Sequence, residues 1–246
     1  MKIKFLFVAC LFVTLQVEAQ KRFKHLYSGY YGNGSSNEPV GLRLGIAASI
    51  ALTDITRDLL TNPNIEDSYQ ATYQPAAGLI LQYAVTPKFM LGSGINYKPF
   101  AYKYKTETQT ETTLAITKRN YLELPVLLNF TFREGEYQTY PVIYGGASIS
   151  YLLNAQRDFE ARSLVNEMEM IEENNQDVAA EFNDLDYGLI AGASFYIPFQ
   201  TYFQLMVDFK AYIGLANINN LTKNTVTDPY TVNTALTLSI ALIWGR

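Results

Sequence analysis

Residues 233–244 read NTALTLSIALIW, and large apolar side chains alternate with small or polar ones from Ala235 to Leu242. In an extended chain Leu238 and Ile240 point to one face, whereas Ser239 between them points to the other. The alternation runs longer than the roughly 5–6 residues of an ordinary soluble strand and approaches the roughly 9–11 residues of a tilted membrane strand. The segment therefore predicts a β-strand with one face toward lipid.

Seven earlier segments repeat this alternation, at 40–51, 75–85, 89–104, 121–132, 140–153, 185–197 and 202–215. The connections between them alternate in length, with short ones at 86–88, 133–139 and 199–201, and long ones at 52–72, 105–118, 154–184 and 218–232. Bacterial outer-membrane barrels have short periplasmic turns and long extracellular loops, and lipid requires the sheet to close because it cannot satisfy an open edge. We therefore predict an all-β, closed, antiparallel, eight-stranded transmembrane barrel over residues 39–246, with both termini periplasmic.

The N-terminus has the form of a secretory signal. Lys2 and Lys4 precede a short apolar run, and a small-residue cleavage site ends at Ala19. We predict a signal peptide at 1–19. A basic stretch at 20–38 is expected to form a periplasmic leader, either disordered or in contact with periplasmic partners or lipid headgroups.

Composition excludes several function classes. The chain has 19 Lys and Arg against 23 Asp and Glu, and this acidic balance argues against nucleic-acid binding. The one cysteine, Cys10, lies in the predicted signal, so the mature chain has no thiol for a disulfide, a metal site or a nucleophile. The one histidine, His25, precedes the first strand, which removes histidine-based catalysis from the barrel rim. We predict a protein that is not an enzyme and needs no cofactor or metal, although a carboxylate mechanism using Glu123 or Asp186 stays open.

The second face of the strands is small and nearly uncharged, as expected for the lumen of a narrow barrel. The alternation places six charged side chains there, three of each sign: Arg43, Lys98, Glu123, Asp186, Asp208 and Lys210. Isolated buried ions are costly, so we expect these charges to pair and to seal the lumen. The alternatives are that Lys98 and Asp186 lie at the rims in water, or that the charges line an ion path.

Aromatic residues collect near the short-turn end of the predicted strands. They are Tyr83, Phe89, Phe130, Phe132, Tyr140, Phe195, Tyr202, Phe203 and Trp244. Membrane barrels carry such girdles at the lipid–water interfaces. We predict that these nine residues form the periplasmic aromatic girdle.

The segment Tyr121-Leu122-Glu123-Leu124-Pro125 resembles a hallmark of the PorT-like outer-membrane β-barrel family of Bacteroidota. The Gly-rich third strand and the strand at the C-terminus resemble the same family, over residues 40–246. The resemblance implies an OmpA-like eight-stranded barrel. Members of the family differ in function, and the namesake takes part in protein secretion across the outer membrane; no residue match carries that role to this chain.

The connection at 154–184 is acidic, and Leu164, Met168 and Ile171 recur near helical spacing. Part of it is expected to form an amphipathic helix, and it is either a solvated cap or a docking surface for a partner protein. The stretch at 105–118 is expected to continue its two strands as a hairpin beyond the membrane.

The favoured function is a structural or interaction barrel with a sealed lumen. One setting for such a barrel is as a subunit of a larger outer-membrane assembly for secretion, insertion or uptake. Its partners would be outer-membrane lipid and lipopolysaccharide, and partner outer-membrane proteins or lipoproteins bound through the long loops. The alternative is a small-solute channel or ligand-binding barrel.

Overall fold

The computed structural model describes residues 41–57, 66–107, 111–132, 138–163, 170–200, 202–219 and 231–245. The predicted signal at 1–19 and leader at 20–38 lie outside the described residues. Among the residues described, no helix is long and apolar enough to cross a membrane.

The described segments form nine strands and one short 3₁₀ helix. In chain order they are β1 Leu42–Arg57, β2 Glu66–Ala84, β3 Phe89–Glu107, β4 Glu111–Thr131, β5 Tyr140–Ser163, β6 Met170–Asp177, the 3₁₀ helix Ala179–Glu181, β7 Leu185–Gln200, β8 Phe203–Gly214 and β9 Thr231–Gly245. Strands from 12 to 24 residues long make up the barrel.

Eight of these strands close into an antiparallel barrel. Seven of the eight contacts join strands in the order β4-β3-β2-β1-β9-β8-β7-β5, and the pairing of β4 with β5 completes the circle. The first and last strands meet along fifteen register pairs, from Arg43–Gly245 to Arg57–Thr231. In the described part of the chain β6 pairs only with the far end of β5 and stands outside the barrel. The predicted eight-stranded barrel is confirmed.

The apolar face of the sheet points outward. In β1 the side chains of Ile46 and Ile50 are exposed, whereas Arg43 and Thr53 are buried. In β9 Leu238 and Ile240 are exposed, and Thr237 and Ser239 are buried. A water-soluble barrel would show the opposite arrangement, so this exterior fits a hydrocarbon environment.

Six barrel strands, β1 to β5 and β9, run beyond their predicted ends on the long-loop side. The β3–β4 hairpin continues to the pair Glu107–Thr112, as expected for the stretch at 105–118. The amphipathic helix expected within 154–184 is wrong: β5 continues to Ser163 and pairs with β6, so Ile171 lies in a strand. Leu164 and Met168 lie outside the described residues. Cross-strand hydrogen bonding of β5 to both β4 and β6 outweighs the weak helical spacing.

Inward-facing glycines make room for large lumen side chains. A Cβ atom at Gly188 would lie 2.6 Å from Cε2 of Tyr212, and one at Gly192 would overlap the ring of Tyr144. These two tyrosines can therefore lie flat against the barrel wall only where the wall carries glycine. The glycines thus decide where the lumen holds its aromatic side chains.

Candidate functional site in the barrel lumen

Glu123 of β4 is the centre of the lumen charge cluster. Its side chain is fully buried, and Lys98 of β3 donates to its Oε1 at 2.9 Å. Lys210 of β8 lies 3.8 Å from Oε2, and Asn96 donates to the same oxygen at 3.0 Å. Lys98 also lies 3.6 Å above the centroid of the Tyr212 ring, so that its ammonium has a carboxylate and an aromatic face as neighbours. This network joins β3, β4 and β8 across the interior.

The structure places all six predicted lumen charges inside, but only Lys98, Glu123 and Lys210 pair with one another. Asp186 instead accepts hydrogen bonds from Tyr212 (2.9 Å) and Asn233 (2.8 Å). The expectation that the six charges pair among themselves is therefore wrong for half of them. Tyrosine hydroxyls and an amide reach the carboxylates directly, which removes the need for a cation at each.

The other two charges likewise have neutral partners. Asp208 accepts from Ser194 at 2.7 Å and from Tyr144 at 2.8 Å. Arg43 donates to the hydroxyl of Tyr140 at 3.2 Å. Lys98 and Asp186 are as deeply buried as the rest, so the alternative that they lie at the rims is wrong.

A stacked aromatic pair closes the short-turn end of the lumen. The rings of Tyr140 and Tyr196 lie 5.3 Å apart and nearly parallel. Tyr140 donates to Gln204 at 3.0 Å, and Gln82 donates to Tyr196 at 2.6 Å. Tyr140 was predicted in the girdle; that is wrong, because the strand parity that points Pro141 outward turns Tyr140 inward, where it is buried.

Above this pair lies a small cavity lined by both apolar and polar side chains. Its volume is about 80 Å³, and its lining includes Ser49, Asn96, Glu123, Asp208 and Lys210. A space of this size is large enough to hold several water molecules, since one water needs only about 10–15 Å³ of it. The middle of the barrel therefore has room for water beside its charged side chains.

The barrel exterior carries two aromatic levels. Phe89, Phe195 and Tyr202 are exposed near the short turns, and the remaining predicted girdle residues other than Tyr140 also face outward. Nearer the other end, Tyr97 and Tyr187 are exposed, each eight residues along its strand from Phe89 and Phe195. With a rise of about 3.3 Å per residue and a tilt near 40°, eight residues span roughly 20 Å, close to the ~25 Å apolar band of membrane barrels.

A family model described as the outer membrane protein beta-barrel domain matches residues 26–220. The chain belongs to this family. It is thus an outer membrane β-barrel, and the aromatic levels on its surface lie where such a barrel meets the two lipid–water interfaces.

Solved outer membrane barrels resemble this one at low sequence identity. OprG from Pseudomonas aeruginosa is 10% identical, with 83% of this chain and 95% of that chain covered and a TM-score of 0.43. Ail, the attachment invasion locus protein of Yersinia pestis, is 10% identical, with coverages of 84% and 100% and a TM-score of 0.37. AlkL is 11% identical, with coverages of 87% and 94% and a TM-score of 0.38. A search of the curated proteins gave no match.

The long-loop mouth of the outer membrane barrel is covered by the segment that follows β6. Val178 and Phe182 are buried there and pack with Phe100 and Tyr121 of the upper lumen. Arg157 of β5 holds Glu181 through two hydrogen bonds, of 2.6 and 3.3 Å. The lumen is thus covered at both ends.

Arg119 is a charged lumen residue that the sequence analysis missed. It is fully buried, and it lies two positions before Tyr121 and four before Glu123. The predicted strand began at Tyr121, so Arg119 fell between it and the hairpin stretch at 105–118. Extending the two-residue alternation backward from Glu123 through Tyr121 would have found it.

Around Asp158, on the exposed upper part of β5, the electrostatics differ from those of the lumen. Asp158 accepts from the backbone N–H of Asn175 at 2.9 Å and pairs with Lys118 at 3.2 Å. The hydrogen bond from Asn175, and then the lysine, hold the pKa of this carboxyl below its ordinary value. In the described part of the chain no three His, Cys, Asp or Glu side chains come together as metal ligands would.

Proposed function

We propose that this outer membrane barrel is a non-enzymatic, non-conducting structural protein that binds partner proteins at its long-loop end. One observation carries the proposal: covers stand at both ends of the lumen, the stacked Tyr140–Tyr196 pair at one and the segment around Phe182 at the other. Between them the Glu123 network crosses the interior. A solute would have to break buried hydrogen bonds at each level to pass.

The finer assignments belong to the same proposal. Residues 1–19 act as a cleaved signal and 20–38 as a periplasmic leader, so that the short turns and both termini face the periplasm. The Tyr121–Pro125 motif supports a place among the PorT-like barrels of Bacteroidota. Lipid and lipopolysaccharide surround the apolar exterior, and outer-membrane proteins or lipoproteins bind above the membrane.

The β5–β6 hairpin is the surface that best fits a protein partner. Its outer strand exposes Glu173, Gln176 and Asp177, and it stands outside the barrel wall. Exposed carboxylates on a projecting hairpin favour a partner with a basic surface, because complementary charge speeds association and selects partners.

Planar-bilayer recording tests whether the lumen is closed. The wild-type protein is expected to give no steady current, and the Tyr140→Gly, Tyr196→Gly double variant is expected to leak, because the paired rings are removed. Tyr202→Gly, which removes an exposed aromatic near the same end, is the matched control and is expected to stay closed. Steady wild-type current would overturn the proposal in favour of a small-solute channel.

Co-purification in mild detergent tests the partner. The protein is expected to elute in a complex that is lost when residues 160–172 of the β5–β6 hairpin are removed. Removing residues 104–115 of the β3–β4 hairpin, which also projects beyond the membrane, is the control and is expected to leave the complex intact. A protein that always elutes alone, or two deletions with equal effect, would contradict a docking role for β5–β6.

A further inference from the structure

Arg119 is a buried cation with no acceptor in hydrogen-bond geometry among the described residues. Its side chain has no exposed surface, and Nε, Nη1 and Nη2 find no hydrogen-bond acceptor in the described part of the protein. The rings of Tyr102 and Phe182 lie 5.4 and 5.1 Å from Cζ, so they cover the guanidinium. The hydroxyl of Tyr121 lies close enough to interact with the guanidinium, but it is not aligned as a hydrogen-bond acceptor for the N–H groups. Because an unpaired buried charge destabilises a fold strongly, such a group points to a role beyond packing.

Unsatisfied acceptors lie in the same part of the lumen. Asp186 has one oxygen, Oδ2, that accepts from Tyr212 and Asn233, while its Oδ1 has no partner. Oδ1 of Asn233 and the hydroxyl of Tyr121 are also buried without a partner by hydrogen-bond geometry. Tyr121 neighbours both Arg119 and Asn233, and the charge of Arg119 acts on Asp186. The N–H groups of Arg119 and the oxygen atoms of Asp186, Asn233 and Tyr121 thus lie in the same part of the lumen.

The cover above Arg119 is lightly held. It consists of residues 178–183, of which only Val178 and Phe182 are buried. Its anchors are the partly exposed Arg157–Glu181 pair, the hydrogen bonds of Asn183 to the backbone of the segment after β8 at 2.8 to 3.0 Å, the β-bridge of Phe182 with Asn219, and the N–H of Val178 donating to the carbonyl of Ala155 at 3.1 Å. An exposed ion pair contributes little, and a three-residue 3₁₀ turn adds few backbone bonds. Opening this cover breaks its backbone bonds to Ala155 and Ile218, but no register pair of the eight barrel strands includes residues 178–183.

We propose that Arg119 is the anion-recognising group of a ligand site beneath this cover, and that the ligand is a small carboxylate that also carries a hydrogen-bond donor. The planar fork of an arginine matches a carboxylate in a bidentate manner. The donor on the ligand would serve Oδ1 of Asp186 or of Asn233. On entry the ligand displaces Phe182 from the guanidinium, and the cover closes over it.

The site lies on the water side of the apolar band. Arg119 pairs in register with Phe100 and Ala155, three positions beyond the level at which Leu122 pairs with Tyr97 and Tyr151. The exposed tyrosines of that level mark the interface. A dissolved ligand therefore reaches Arg119 from the long-loop side without crossing lipid or passing the Glu123 network, so the proposal is independent of whether the lumen conducts.

Calorimetric titration of the full chain in detergent micelles tests the site, with lactate as the probe and acetate as the carboxylate that lacks a donor. Lactate is expected to bind saturably, and acetate about tenfold more weakly because it leaves the acceptors unpaired. Arg119→Gln is expected to weaken lactate binding at least about tenfold. Lys118→Gln, the adjacent but exposed residue, is the matched control and is expected to bind as wild type.

A second measurement separates recognition from folding. Arg119→Gln removes an unpaired buried charge, so its urea midpoint is expected to equal or exceed that of the wild type while lactate binding is lost. Arg119→Lys keeps the charge but not the fork and is also expected to bind weakly. Absence of saturable lactate binding would overturn the proposal and mean that water alone satisfies Arg119. Unchanged binding in Arg119→Gln, or acetate binding equal to that of lactate, would overturn it as well.

Discussion

Replacing Glu123 by glutamine should destabilise the barrel far more than its small change in volume suggests. The substitution keeps the side-chain shape but removes the anion that two lysines share. At an effective dielectric constant of about 20, an ammonium 2.9 Å from a carboxylate oxygen is attracted by about 6 kcal/mol and one at 3.8 Å by about 4 kcal/mol. These are gross attractions, and hydration of Lys210, which is partly exposed, recovers some of the loss.

The expected net loss in the free energy of unfolding is about 3–5 kcal/mol, the range seen when one partner of a buried ion pair is removed. Urea unfolding in lipid vesicles, followed by the emission of Trp244, measures it. Trp244 is the single tryptophan and lies on the exterior at the other end of the barrel from the mouth, away from the Glu123 network. The double variant Glu123→Gln, Lys98→Met should recover much of the loss, because it replaces a lone buried cation by an apolar chain.

The matched control is Lys118→Gln, which breaks the exposed pair with Asp158 and should cost less than about 1 kcal/mol. If Glu123→Gln and Lys118→Gln were equally stable, the lumen network would contribute no more than a surface ion pair. That result would refute a lumen sealed by a network of ion pairs.

Three further outcomes are expected. Ile240 lies midway along the strand between Trp244 and Leu236, so Ile240→Arg should lower the unfolding free energy in vesicles by about 2–4 kcal/mol. Leu236→Arg should lower it by about 1 kcal/mol or less, and equal losses would contradict the position of Ile240 in the middle of the bilayer. Glu181→Gln should raise the rate of amide hydrogen exchange at residues 178–183 without changing the rate in the β9 strand. If residues 178–183 exchanged at the same rate in the wild type and the variant, the Arg157–Glu181 pair would not hold the cover. The folded-state pKa of Asp158 lies below its unfolded value, so the stability that it contributes is present above the ordinary aspartate range and lost as the pH falls through the lowered pKa. A titration followed by the amide chemical shift of Asn175 should have its midpoint below about 3.9, and the Asp158→Asn variant should show no such transition. A midpoint at or above the ordinary aspartate value would contradict the hydrogen bond.

The strands of the barrel could be predicted from sequence because one physical rule acts on all of them. Each strand has lipid on one side and a crowded lumen on the other, so a large apolar side chain recurs at every second position from Leu236 to Trp244. The pattern fades beyond the membrane, where both faces meet water. This is why β1, β4 and β5 continue past their predicted ends.

The sequence predicts which side chains face the lumen, but not which other side chains they bind there. Alternation placed Asp186 and Asp208 inside, yet it cannot say that Tyr212 and Tyr144 reach them, because those contacts join strands and depend on glycines opposite. Tyr140 was assigned by its nearness to a strand end, although the parity of Tyr140 with Val142 already indicated the inner face. The cover over Arg119 depends on a turn after β6 that shows no periodicity.

The seam between β1 and β9 has a consequence for how this protein is made. Ser49 and Ser239 share a hydrogen bond although they lie 190 residues apart in the sequence. The first strand therefore has a hydrogen-bonded strand on both sides only after the last strand has formed. Closure is a late, long-range event, slow by the usual dependence of folding rate on contact distance. Until it happens, two rows of unpaired backbone groups would face hydrocarbon, and assembly in the bilayer must proceed with those edges shielded.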